Sequence, residues 1–314
     1  MDNPTTEECI AIFGAAGRIG TPLILHLMRR SPGVRLRLIS RHENQARALK
    51  ASYPDAETCV ADYFDLDSLR NALADVTAIF VITPHFVDER TAMTNLVAAI
   101  ENPKELRQIV RIVGYHPGSR LSDIPQSLRD FGPGVATQHF IAQEVLESSQ
   151  LPVTFLNLGA SMMDNFLRNG PLRSRGVLVW PPRVIPYVDP RDVGEAAAKL
   201  LLSQDIDPVG QVHHLNNHHD LKSGADVAAL MSDVAGRPIG YDGSRSAYLE
   251  MTAARIQRDF GVAGGAEYLW EFFEYERSIE SHWALDATLQ RILGHAPKTL
   301  LEWLTEHRTT LFAT

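Results

Sequence analysis

Cysteine is scarce in this chain: Cys9 and Cys59 are the only two in 314 residues. Both fall inside short apolar runs, where a free thiol behaves as a small hydrophobe. Neither a disulfide framework nor a cysteine metal centre is expected. No apolar run approaches the ~18 residues that a membrane helix needs. Residues Met1 to Glu8 lack a basic region followed by an apolar stretch, so no secretory signal is expected. Positive charge is also in deficit, with 30 Lys and Arg against 38 Asp and Glu and a formal net charge of −8. The average field repels phosphate backbones and anionic lipid, which argues against nucleic acid or a membrane surface as a partner. A cytoplasmic location is the expectation. The charge clusters, such as Arg35/Arg37/Arg41 and Glu271/Glu274/Glu276, are short and read as solvated surface. Internal repeats and low-complexity tracts are absent.

What is present is a large apolar fraction, 45% of residues, with 22% charged, enough to bury a substantial core. The first half alternates short β-branched runs with longer helical patterns. Strands are expected at Cys9–Phe13, Arg35–Ile39, Glu57–Ala61, Ala78–Ile82, Gln108–Val113 and Val153–Leu158. Helical periodicity marks Ile19–Arg30, Asp67–Ala74, Val87–Ile100 and Thr137–Ser149. This is the pattern of an α/β protein built on a doubly wound parallel sheet. Beyond Leu158 the regularity fades. The stretch Trp180 to Pro186 is too rich in proline for a helix interior or a central strand. Later helices are expected at Pro190–Leu202, Gly224–Val234 and Ala247–Phe260, the last two ending at Gly236 and Gly261 in left-handed caps.

The first expected strand runs into Gly14-Ala15-Ala16-Gly17-Arg18-Ile19-Gly20 and then into an apolar helix. A pyrophosphate needs main-chain amides with no Cβ in the way, and it gains from the positive end of a helix. Gly14 suits the tight turn, Gly17 the approach of phosphate and Gly20 the packing of helix on strand. A dinucleotide cofactor is therefore expected here. Choice between the two nicotinamide cofactors is made at the end of the second strand, where an acid accepts from the ribose 2′-hydroxyl. An acid is missing there, and Arg41 stands where a guanidinium grips a 2′-phosphate. NADP(H) is favoured, with NAD(H) as the alternative if Glu43 takes the acid's role. Arg18 adds a second positive group. Asp62, past the third strand, either meets the adenine ring or caps the following helix.

These residues resemble the NmrA-like branch of the atypical short-chain dehydrogenase/reductase superfamily. The Gly-x-x-Gly-x-x-Gly spacing is typical of it. The similarity continues through Ala61 to Asp65, Ala78 to Pro84, His139 to Glu144, Leu151 to Leu156, Met162 to Asn165, Tyr187 to Val193 and Leu293 to Leu300. The resemblance implies a Rossmann domain over residues 1–160. Residues 161–314 would form mainly a smaller C-terminal α/β substrate lobe, with some segments returning to the first domain. It further implies that Gly14, Ala16, Gly17, Arg18, Ile19, Gly20, Asp62, Tyr63, Thr83, Pro84, Val113, Gly114, Leu158, Gly159 and Ala160 line the cofactor groove. Tyr115, His116 and His139 would lie nearest the reacting carbon. The substrate implied is a small molecule, and a homodimer is compatible with the family.

The departures from the superfamily bear on chemistry. Its Tyr-x-x-x-Lys pair is missing, because none of Lys50, Lys104, Lys199, Lys222 and Lys298 has a tyrosine four residues earlier. A lysine that some NmrA-like reductases carry is replaced in the stretch His139 to Glu144, and the serine often found after the fifth strand is Gly114. Hydride transfer to a quinone or another electrophilic acceptor forms an oxyanion that water can protonate, so positioning alone can suffice. If an acid is used, His139, Tyr115 and His116 are the candidates. The expectation is an NADP(H)-dependent oxidoreductase acting on a small carbonyl, quinone or conjugated acceptor. The alternatives are a non-catalytic redox-sensing regulator and a cofactor-retaining isomerase, epimerase or lyase. The histidines at 213, 214, 218 and 219 invite a metal, but Val212 and Leu215 point to a strand entering a turn, and no metal is expected. The aromatic run Tyr268 to Tyr275 reads as an amphipathic helix, with part of it able to roof a substrate pocket.

Overall fold

The computed structural model describes residues 8–203, 209–279 and 283–312. Residues 1–7, which carry most of the secretory-signal reading, lie outside them. In chain order the first elements are β1 (Cys9–Phe13), α1 (Gly20–Arg30), β2 (Arg35–Ser40), α2 (Glu43–Ser52), β3 (Glu57–Val60), α3 (Leu66–Leu73), β4 (Ala78–Val81), α4 (Glu89–Ala99) and β5 (Gln108–Val113). Next come α5 (Gln126–Arg129), α6 (Val135–Ser148), β6 (Val153–Asn157), β7 (Ser161–Met162), α7 (Gly170–Arg175), β8 (Val177–Val179), β9 (Ile185–Val188) and α8 (Pro190–Leu202). The last are β10 (Val212–His214), β11 (Leu221–Lys222), α9 (Gly224–Ala235), β12 (Gly240–Asp242), α10 (Arg245–Phe260), α11 (Gly265–Ser278), α12 (Thr288–Leu293), α13 (Leu300–Glu306) and α14 (Arg308–Phe312).

Seven strands form one sheet in the order β10-β6-β5-β4-β1-β2-β3. The pairings among β1 to β6 are parallel. From β1 the chain winds outward to β3, then returns to lay β4 on the other side of β1 and winds outward again. This is the expected doubly wound α/β sheet, and it places a crevice at the carboxyl ends of β1 and β4. All five residues of β1 are buried, which explains its unbroken apolar run, since a parallel sheet is covered on both faces. Helix α1 buries Leu23, Ile24 and Leu27, the side of its 3.6-residue period that faces the sheet.

The chain divides into two compact units. The first holds residues up to Val113 with Gln138–Asn157 and Val193–His213, and the second holds Gly114–Thr137, Leu158–Asp192 and the residues from His214 onward. The second unit has its own core, in which Phe166, Trp180, Tyr187, Trp303 and Phe312 are buried together. It contains a three-stranded sheet, β11-β9-β7, and the pair β12-β8.

Two expectations need correction. Pro186 lies in β9, the middle strand of the three-stranded sheet, although proline was excluded there. Strand β11 pairs only with Ile185 and Pro186, and β7 only with Tyr187 and Val188. The strand pairing of Pro186 is thus with β11 alone, and on its other side it is locally at an edge, where proline is tolerated. The charge clusters are not all surface. Arg35 and Arg37 both bind Glu57 across β2 and β3, and Glu276 is buried against Arg183. Helix α2 escaped the sequence reading because only Ala46 and Leu49 of its ten residues are buried, which leaves little periodic signal.

Candidate functional site

The glycine turn joins β1 to α1 as a main-chain structure. Gly14 has a φ of +66°, the left-handed region that glycine enters at no steric cost. Its carbonyl accepts the Gly17 N–H at 2.8 Å, and the Gly17 carbonyl accepts the Thr21 N–H at 3.0 Å. A Cβ on Gly14 would lie 2.5 Å from Ile82 Cγ2, and one on Gly20 would lie 2.2 Å from the Gly14 carbonyl oxygen. Gly20 therefore admits the turn itself against the helix, a tighter demand than helix against strand. Helix α1 has no side-chain cap and no acidic residue in its first turn, so its N-terminal amides and positive end face outward uncompensated. Ala16 and Gly17 are exposed, Arg18 is half-buried, and the Ile19 side chain is in the core. The exposed turn at Ala16 and Gly17 and the helix end together make a cradle that suits an anion, and the phosphates of a dinucleotide match it.

The crevice beside this turn is closed by the ends of β3 and β4. Tyr63 stacks on Phe13 with ring centroids 4.7 Å apart and donates to the Ile82 carbonyl at 3.1 Å. Burial pushes its phenol well above the ordinary range, so Tyr63 serves as a neutral wall. Asp62 accepts the Phe64 N–H at 3.0 Å, whereas α3 is capped by Asp65. Arg41, one residue past β2, is exposed, with the neighbouring His42 ring 3.5 Å from its guanidinium. Glu43 is also exposed and opens α2. Thr83 and Pro84 follow β4, the first half-buried and the second exposed, and Val113 ends β5 fully buried.

Under Thr83 lies a cluster that sequence reading missed. Arg111, in the middle of β5, is fully buried, and Glu89, at the start of α4, is 2% exposed. The Arg111 Nη2 donates to Glu89 Oε1 at 2.6 Å and to Thr83 Oγ1 at 2.9 Å. The Thr83 hydroxyl donates to the same Glu89 oxygen, and the Glu89 N–H donates to Gln138 Oε1 at 2.8 Å. A signal was available: an arginine inside an otherwise apolar buried strand is seldom idle. His139 follows Gln138 on α6 and is half-buried.

In the second unit, Tyr115 and His116 are buried. A Cβ on Gly159 would meet the Tyr115 carbonyl and Pro117 at 3.1 Å and the Trp283 ring at 3.2 Å, so Gly159 is brought against Tyr115. Leu158 and Ala160 flank it half-buried, as is Gly114. The His116 ring lies 4.1 Å from that of Trp283, a residue the sequence did not single out. His116 Nδ1 lies 2.7 Å from the Pro117 carbonyl. A carbonyl only accepts, so Nδ1 carries a proton there. The histidine-rich stretch forms β10 and a polar turn. There Asn217 binds Asp220 and the Lys298 carbonyl, and Asp220 accepts the Leu300 N–H at 2.7 Å. Among the described residues no three His, Cys, Asp or Glu gather as metal ligands. Both cysteines are free. No described helix is long and apolar enough to cross a membrane.

Comparison with known proteins adds to this geometry. The model of the NmrA-like family matches residues 6–304. An NAD(P)H azoreductase of Xenophilus azovorans is 24% identical over 234 residues, 74% of this chain and 76% of that protein. Among solved structures, triphenylmethane reductase of Citrobacter sp. complexed with NADP(H) superposes with a TM-score of 0.74 at 21% identity, covering 96% of this chain and 99% of that one. The NADPH-dependent quinone oxidoreductase of Escherichia coli complexed with NADPH gives 0.73 at 23%, covering 95% and 99%.

Proposed function

Since this chain belongs to the NmrA-like family, we propose that it is an NADP(H)-dependent reductase whose acceptor is a small quinone, carbonyl or other conjugated molecule. The observation that carries the reading is the uncapped glycine cradle at the start of α1 with Arg41 at the end of the neighbouring strand. The cradle amides hold the pyrophosphate, and Arg41 meets the 2′-phosphate with forked, charge-assisted hydrogen bonds. Tyr63, Thr83 and Val113 wall the crevice.

When bound, the cofactor supplies a hydride. The chain's part is to orient and to exclude water, because it has no Tyr-x-x-x-Lys pair to deliver a proton. His116 donates its Nδ1–H to the Pro117 carbonyl. His139, Tyr115 and His116 are the positioning or acid candidates. A quinone or azo acceptor spreads the arriving electron pair over its π system and then takes a proton from water. A simple aldehyde becomes a localised alkoxide that needs an acid at hand. The three relatives named above are reductases of azo, triphenylmethane and quinone compounds by their names, and this supports a conjugated acceptor.

The test is consumption of NADPH, followed by absorbance, with a panel of quinones, azo dyes and aldehydes. Turnover with the conjugated acceptors and little with aldehydes is expected. Aldehydes reduced faster than quinones would contradict the acceptor class. Tight binding of NADPH with no turnover on any acceptor would instead favour a redox-sensing regulator, the reading to which the missing catalytic pair points.

A further inference from the structure

The Thr83–Glu89–Arg111 cluster is more than a buried ion pair. Arginine with 0% exposure on a central strand is costly to bury, and replacing such a pair by apolar side chains is often neutral or stabilising. Here the burial is also incomplete in its hydrogen bonding. Arg111 Nε and Nη1 and Glu89 Oε2 have no partner among the described residues. What the pair does accomplish is local. Thr83 Oγ1 accepts one N–H of Arg111 and gives its own proton to Glu89. Glu89 is fixed in turn through its main chain by Gln138. A hydroxyl has one proton and two lone pairs. With the proton committed and one lone pair used, Thr83 has a single lone pair left, so toward a ligand it acts as an acceptor.

Thr83 stands at the carboxyl end of β4, the strand next to β1, one residue after Ile82, whose side chain abuts Gly14. It is thus at the crevice beside the phosphate cradle. We propose that Arg111 and Glu89 are positioning residues that lock the Thr83 hydroxyl as acceptor for the carboxamide N–H of the nicotinamide. That contact would fix which face of the ring is presented. The inference rests on the cofactor reading above.

The experiment compares calorimetric binding of NADP⁺ with that of its 3-acetylpyridine analogue, in which a methyl group replaces the carboxamide nitrogen. Wild-type protein should bind the analogue about ten-fold more weakly, the cost of losing one hydrogen bond in a partly buried site. Thr83→Val should bring the two within about two-fold, and Thr83→Ser should restore the difference. Arg111→Met, if it folds, should narrow it, because the Glu89 carboxylate left without its cation is no longer held where it takes the Thr83 proton. The Thr83 variants keep the test decisive if Arg111→Met does not fold. Equal weakening of both ligands by Thr83→Val, with their ratio preserved, would overturn the assignment. Binding of neither ligand by wild-type protein would overturn the cofactor reading itself, a different and recognisable failure.

Discussion

The glycine turn of the first unit and the Arg183 cluster of the second are built from opposite materials. The turn is main chain, held by the Gly17 to Gly14 hydrogen bond and by three positions where a Cβ does not fit. The Arg183 cluster is side chain. Its guanidinium pairs with Glu276, lies 4.1 Å over the Phe273 ring and is buried near Tyr187 and Tyr248. Burial lowers the Arg183 pKa to about 10 and raises that of Tyr248 to about 12. A main-chain site depends on a few small residues in a row. A side-chain site depends on partners far apart in sequence, and it admits many chemistries on one fold.

The comparison breaks most visibly if removing one partner of the cluster is harmless. Arg183→Met should cost about 3–5 kcal/mol of unfolding free energy, since it strands the Glu276 carboxylate. Adding Glu276→Leu should recover most of that loss. Chemical denaturation of the two variants checks both statements, and an equal loss in single and double variants would contradict the account of the pair.

Gly20→Ala comes next. Its Cβ would lie 2.2 Å from a main-chain oxygen that no rotamer change can move, so a loss of about 3 kcal/mol is expected. NADPH binding should fall with it. Arg41→Ala touches binding only: NADPH should lose about 1.5–3 kcal/mol and NADH little. Similar losses for both would return the cofactor choice to Glu43.

The smallest effect concerns Asp192, which accepts the Lys298 N–H at 2.8 Å and whose pKa burial raises from 3.8 to about 6. The folded protein holds this proton to a higher pH than the unfolded chain. The group therefore disfavours folding progressively as pH rises from about 4 to 6, and the full penalty stands above that window. Asp192→Asn should gain about 1–2 kcal/mol over wild type at pH 8 and nearly nothing at pH 4. Thermal unfolding across that range reads the difference, and a gain of equal size at both ends would refute it.

The same contrast governs what the residues disclosed in advance. The strands of the first unit were legible because parallel strands buried on both faces write continuous apolar runs, as in Cys9–Phe13 and Gln108–Val113. The cradle was legible because its three glycines answer a local geometric need. Glu89, Arg183 and Glu276 were not, because an ion pair between distant segments looks like surface charge until the fold brings the two sides together; Arg111 stood out in its apolar strand, but its partners did not. Pro186 misled because a gap in the pairing on one side of a strand leaves no local mark. Trp283 and His116 met for the same reason of distance.

The central claim is that a phosphate-bearing cofactor rests on the bare amides at the start of α1, and Ala16 offers the cleanest probe of it. Ala16 is exposed, so Ala16→Glu should leave the unfolding midpoint within ~0.5 kcal/mol of wild type. It should, however, place a negative charge where the pyrophosphate sits. Calorimetric titration with NADPH should show binding to wild-type protein and a loss of about ten-fold or more in the folded variant. Equal affinity in the two proteins, or no heat from either, would contradict it.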